Sequence, residues 1–187
     1  LIAIFYGLIQ SNLILCSWLI FIGILLDFLD GKIARFLKVE SDYGKQLDSF
    51  ADMITFGIAP AVIVFKMIGE QNHNLSYIAF LIPIFSAIRL AKYNIDKKQG
   101  NYFIGLSTPA NALLFSSLPL LGEFHSFEII NKLMSNVSFL IALTIIFSSL
   151  LISNIETFSL KLYASNQFEK KLKIGFISAS LFFVLFL

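Results

Sequence analysis

The stretch LDFLDGKIARFLKVESDYGKQLDSFADMITFG, residues 26–57, places four aspartates, Asp27, Asp30, Asp48 and Asp52, among apolar neighbours. Their spacing is helical. Asp27, Asp30, Gly31 and Ala34 follow i, i+3, i+4, i+7 and share one stripe, and Gly44, Asp48 and Asp52 follow i, i+4, i+8 and share another. The polar segment between the stripes, Lys38 to Tyr43, is short enough to make the two helices antiparallel neighbours. Four carboxylates then converge on one small volume.

The surrounding chain is a membrane chain. Of its 187 residues 57% are hydrophobic and 14% charged, against about 25% charged in soluble domains, and the mean hydropathy is +0.82. Lipid-facing helices carry such a surface without penalty, whereas a soluble domain cannot hide it. A spanning helix needs about 20 mostly apolar residues. Runs of that kind lie at Leu13–Leu37, Gly44–Ile68 and Ser76–Asn94, with shorter ones at Thr108–Leu121 and Val137–Ser153. Leu1–Ile9 reads as the end of a first span and Ile174–Leu187 as the opening of a seventh. The expectation is an all-α polytopic bundle of six core helices plus at least one more. Residues 1–187 would form a single integral membrane catalytic domain, truncated at its N-terminus and at its C-terminus.

Basic residues orient the bundle, because Lys- and Arg-rich loops stay in the cytoplasm. Lys32, Arg35, Lys38 and Lys45 form one cluster, Arg89, Lys92, Lys97 and Lys98 a second, and Lys161, Lys170, Lys171 and Lys173 a third. With spans alternating in direction, all three clusters share one face, and only Lys66 and Lys132 fall on the other. The acids lie toward the cytoplasmic half. No nucleic-acid partner is expected. Cys16 is the only cysteine, which rules out an internal disulfide, and His73 and His125 are too scattered for a histidine metal site.

An Asp at the centre of a spanning helix costs about 2.5 to 3.5 kcal/mol on insertion scales, less toward the interface. Carboxylate oxygens suit Mg²⁺, Mn²⁺ or Ca²⁺, and two such ions balance four negative charges. Gly31, Ala34 and Gly44 leave room beside the acids, and Arg35 supplies a fixed cation suited to phosphate. Two other readings use the same residues. In one, the acids are an interfacial face paired with Lys32, Arg35 and Lys45; in the other, they line a path for ions or protons.

Asp27-x-x-Asp30-Gly31-x-x-Ala34-Arg35, eight residues, then Gly44-x-x-x-Asp48-x-x-x-Asp52 resembles the complete signature of the CDP-alcohol phosphotransferases, spanning residues 27–52. These are integral membrane enzymes that pass the phosphoalcohol part of a CDP-linked donor to a hydroxyl acceptor and release CMP. The resemblance implies that Asp27, Asp30 and Asp48 hold one Mg²⁺ or Mn²⁺ ion, and that Asp27, Asp48 and Asp52 hold a second. It also implies that Gly31 and Arg35 contact the CDP-lipid with Ser41 as helper, that Ala34 and Gly44 flank it, and that Asp52 is the general base. A homodimer in a prokaryotic cytoplasmic membrane, with its site facing the cytoplasm, is the assembly expected.

IRLAKYN (88–94), FIGLSTPANA (103–112) and SNIETFSLK (153–161) resemble the serine-using branch of that family. Lys92 stands where an arginine is expected, Ser107 where a proline is expected, and Glu156-Thr157 where a basic and aromatic pair is expected. The reaction implied is transfer of a phosphatidyl group from CDP-diacylglycerol to the hydroxyl of L-serine, giving phosphatidylserine and CMP. Arg89 is the candidate for the serine carboxylate, with Lys92 beside it and Asn94, Thr108 and Asn111 as hydrogen-bonding groups. Glycerol 3-phosphate or inositol as acceptor is the alternative, and a cation- or proton-coupled transporter is the reading from another class.

Overall fold

The computed structural model describes residues 1–37, 41–95, 103–124, 128–153 and 156–157. They form a helical membrane bundle. Helix α1 (Ile2–Leu8) turns through Ser11, whose φ of 52° is left-handed, into α2 (Leu13–Leu37). Asn12 opens α2 because its Oδ1 accepts the Leu15 N–H at 3.0 Å, satisfying a donor that a helix start leaves free. Ser41 does the same for α3 (Asp42–Asp52), and Asp42 adds a negative charge in the first turn, where the helix dipole favours it.

From α3 the chain continues without a break through a π-helical turn, Met53–Ile58, into α4 (Ala59–Gly69). The Ala59 N–H reaches back to Ile54 O, five residues earlier, so one extra residue is accommodated there. A 3₁₀ segment, Leu75–Phe80, leads directly into α5 (Leu81–Ile95). Then come a two-residue strand β1 (Phe103–Ile104), α6 (Thr108–Phe124), α7 (Glu128–Met134), α8 (Val137–Ile152) and β2 (Glu156–Thr157). β1 and β2 pair antiparallel, Phe103 opposite Thr157 and Ile104 opposite Glu156.

The helices Leu13–Ala34, Asp42–Gly69 and Leu75–Ile95 are long and apolar enough to cross a membrane, and Val137–Ile152 is a shorter apolar helix. At 1.5 Å per residue, α2 is about 37 Å long and exceeds the roughly 30 Å hydrocarbon core. The second to fourth expected spans therefore stand, with the third extended to Asp42–Gly69. The fifth and sixth are present as α6 and α8, which fall short of a full crossing by length. The sequence reading did not anticipate α7, the strand pair or the π turn. The seventh span at Ile174–Leu187 and the basic residues Lys38, Lys97, Lys98, Lys161, Lys170, Lys171 and Lys173 lie outside the described residues.

Asp42–Gly69 is the central helix: half of its most apolar window is buried, against 17% for that of α2, which presents its apolar side outward. One core cluster joins Val64 and Ile68 of α4 to Ala79, Ile82, Phe115, Leu118 and Leu140. The other joins Ile63, Ala59 and Phe56 to Cys16 and Ile20 of α2, Ala3 of α1 and Ala112 of α6. Gly105 returns the chain from β1 to α6. Its φ is +76°, and a Cβ there would lie 2.7 Å from Leu151 O, so only glycine fits. The adjacent Leu106 N–H bonds Leu150 O at 2.9 Å, docking the start of α6 on the end of α8.

Candidate active site

The end of α2, α3, the end of α5 and the start of α6 lie at one end of the bundle. Asp27 and Asp30 come from the second half of α2, and Asp48 and Asp52 from α3. Carboxylate oxygens of Asp27, Asp30 and Asp48 all lie within 4.8 Å of one another. The carboxyls of Asp27 and Asp52 lie close enough to interact directly. Asp27 and Asp52 are half-buried while Asp30 and Asp48 are exposed, so the group has an inner and an outer edge.

The approach that makes this possible is set one turn inside. Gly23 precedes Asp27 by four residues and Thr55 follows Asp52 by three. A Cβ on Gly23 would sit 2.7 Å from Thr55 Cγ2, so α2 and the π turn touch at a point no larger residue could occupy. On the opposite side Gly57 approaches Pro83 of α5, where an added Cβ would lie 3.3 Å from the Pro83 Cα. The π turn is wedged between two helices and presents Asp52 at its start to both. Extending the Asp27 stripe one turn backward would have found Gly23; no sequence pattern pointed to Thr55.

Among the described residues, neither Lys32 nor Lys45 is paired with one of the four acids. The Lys32 ammonium sits over the Phe28 ring, 4.1 Å from its centroid, and Lys45 Nζ is 3.9 Å from Asp42, which is not one of the four. Arg89 on α5 lies within electrostatic reach of Asp52, and its buried Nε has no hydrogen-bond partner. The donor set fits a divalent cation. Oxygens bound to one Ca²⁺ lie at most about 5 Å from each other and those on one Mg²⁺ at most about 4 Å; the three carboxylates lie within the first limit and reach the second by a small side-chain adjustment.

The remaining expected residues divide by location. Gly31 and Ala34 are half-buried on the Asp27 stripe. Arg35 is the next residue of α2, and its side chain is outside what is described. Ser41 Oγ accepts the Gly44 N–H at 3.0 Å, so both residues serve the start of α3. Lys92 is exposed on α5, and the Asn94 amide donates to Ser49 Oγ at 2.9 Å. Thr108 and Asn111 are buried on α6, which packs against α2 and the π turn, and neither polar atom of the Asn111 amide has a partner. Ser107 Oγ accepts the Ala110 N–H at 3.3 Å, so the serine found in place of proline caps α6. Ser86, one turn before Arg89, and Ser148 on α8 are buried hydroxyls without partners that the sequence reading passed over. A helical spacing from Arg89 could have suggested Ser86.

Comparison with known proteins bears on what this arrangement is for. The chain is 34% identical over 158 residues to the CDP-diacylglycerol–serine O-phosphatidyltransferase of Helicobacter pylori, covering 83% of this chain and 65% of that protein. It is 37% identical over 108 residues to the Bacillus subtilis protein of the same name, 56% of this chain and 59% of that one. It is 30% identical over 118 residues to the archaetidylserine synthase of Methanothermobacter thermautotrophicus, 62% of this chain and 51% of that one. The chain thus spans between about half and two thirds of the length of these relatives. The family model described as CDP-alcohol phosphatidyltransferase matches residues 1–187, the paired aspartate stripes included, and the chain belongs to that family.

Proposed function

We propose that this chain is the catalytic part of an integral membrane enzyme that transfers the phosphatidyl group of CDP-diacylglycerol to L-serine, giving phosphatidylserine and CMP. The observation that carries the reading is the meeting of four carboxylates from α2 and α3 at one end of the bundle, with Asp52 against Asp27 and within reach of Arg89. The serine acceptor is supported by the names of the relatives and by Arg89, a cation with an unused buried donor suited to a carboxylate. Lys32, Arg35, Lys45 and Lys92 at the acidic end support a cytoplasmic site. A prokaryotic cytoplasmic membrane and a homodimer complete the proposal on the family resemblance.

Asp27, Asp30 and Asp48 would hold one Mg²⁺ or Mn²⁺, and Asp27, Asp48 and Asp52 a second. When bound, such ions neutralise the acids and withdraw charge from a pyrophosphate. Gly31 and Ala34 leave the α2 face open for the donor, and Arg35 offers its guanidinium to phosphate oxygens. Asp52 takes the proton of the acceptor hydroxyl as that oxygen attacks the lipid-side phosphorus. The new oxygen–phosphorus bond forms as the bond to CMP breaks, and CMP departs with the electron pair. Thr108 and Asn111, with Arg89 and Lys92, are the groups offered to the acceptor.

The test is CMP release from labelled CDP-diacylglycerol by the full-length protein in detergent, with serine, glycerol 3-phosphate and inositol as alternative acceptors. Serine-dependent release that stops on chelation and falls at least about 100-fold in Asp52→Asn is expected. Turnover that survives both treatments refutes the chemistry, and preference for another acceptor refutes only the serine assignment.

A further inference from the structure

Helix α3 carries Asp48 and Asp52, yet none of its 11 residues is buried. Most helices in proteins are held by packing of an apolar face; among the described residues α3 has no such face of its own and is anchored by packing only through the π turn and α4 that continue it. Its acids face the acids of α2, and like charges push the two helices apart.

Besides the carboxyl contact of Asp52 with Asp27, a side-chain hydrogen bond ties α3 to a distant helix. Asn94 Nδ2, at the end of α5, donates to Ser49 Oγ at 2.9 Å. The Ser49 hydroxyl donates to Lys45 O at 3.0 Å, so its proton is committed along α3 and a lone pair is left for Asn94. Ser49 follows Asp48 directly and lies one turn before Asp52. Asn94 sits on the same helix as Arg89, which lies within electrostatic reach of Asp52. The bond therefore fixes the otherwise unpacked acidic helix to the helix that carries the Arg89 guanidinium.

We infer that Asn94 and Ser49 form a strut that holds Asp48 and Asp52 in register with Asp27 and Asp30 for divalent-cation binding. Asn94 is thus a positioning residue for the metal site and not a ligand of the acceptor. The inference rests on the metal-binding part of the proposed function and is independent of which acceptor is used.

The experiment is Mn²⁺ titration of the full-length protein in detergent, with free Mn²⁺ read by electron paramagnetic resonance in the absence of any substrate. Asn94→Ala and Ser49→Ala should each weaken Mn²⁺ binding about two- to tenfold, the range of one hydrogen bond. The double variant should be no weaker than either single, because both remove the same link. Ser49→Thr keeps the hydroxyl and should bind as wild type. Asn94 is exposed and Ser49 half-buried, so alanine at either opens no core cavity. Unchanged Mn²⁺ affinity in the single variants overturns the inference, as does an additive double variant. So does a raised serine KM in Asn94→Ala with Mn²⁺ binding intact. A wild-type protein that binds Mn²⁺ but releases no CMP would refute the catalytic reading while leaving this comparison decisive.

Discussion

Replacing Gly23 by alanine should uncouple the two aspartate stripes without touching an aspartate. The new Cβ would lie 2.7 Å from Thr55 Cγ2, about 1 Å inside the usual 3.5 to 4.0 Å carbon separation. Threonine is branched at Cβ and stiff at χ1, so the clash passes to the backbone. Overpacking of this kind costs about 1 to 3 kcal/mol, and α2 relieves it by moving about 1 Å from the π turn. Asp27 lies one turn further along α2 and Asp52 just before Thr55, so their contact opens by a similar amount. A misplacement of about 1 Å in a reacting constellation costs on the order of 100-fold in rate. Initial rates of CMP release, with the thermal midpoint measured in parallel, should show that loss in a protein that remains folded. Thr55→Ser removes Cγ2, and the Gly23→Ala/Thr55→Ser pair should regain most of the activity. Wild-type rates in Gly23→Ala, or a folded double variant no faster than the single, would refute the claim that this contact sets the carboxylate geometry.

Two further substitutions separate stability from chemistry. Asn111 is fully buried with both amide atoms unpartnered, a cost of about 1 to 3 kcal/mol. Asn111→Leu should raise the thermal midpoint while raising the serine KM; a lower midpoint with unchanged KM would mean that the amide is structural. Gly105→Ala imposes a side chain at φ +76° and 2.7 Å from Leu151 O, so it should destabilise the protein by about 2 kcal/mol or more. A thermal midpoint within a degree of wild type would contradict the docking of the α6 start on α8.

The sequence exposed what depends on spacing within one helix. Asp27 with Asp30, and Asp48 with Asp52, could be placed on stripes because 3.6-residue periodicity is local, and the apolar runs gave the spans for the same reason. What it did not expose is how one helix is rotated and spaced against the next. Gly23 looked like any glycine in an apolar run until Thr55 stood opposite it, and Ser49 had no pattern joining it to Asn94, 45 residues away. The β1–β2 pair was equally hidden, since two residues carry no alternation to read. Ser107 illustrates the limit of resemblance: its departure from the expected proline is accounted for by the cap it provides to Ala110.

The π turn at Met53–Ile58 gives the central helix two independent phases. Residues before it answer to the carboxylates of α2, and residues after it answer to the apolar core around Ile63 and Ile68. Removing one residue from 53–58 would restore ordinary helix and swing the aspartate end by about 100° relative to the embedded end, one residue's share of a 3.6-residue turn. The turn works as a vernier between chemistry and anchorage, and the number of residues at this point sets the direction in which the aspartates face.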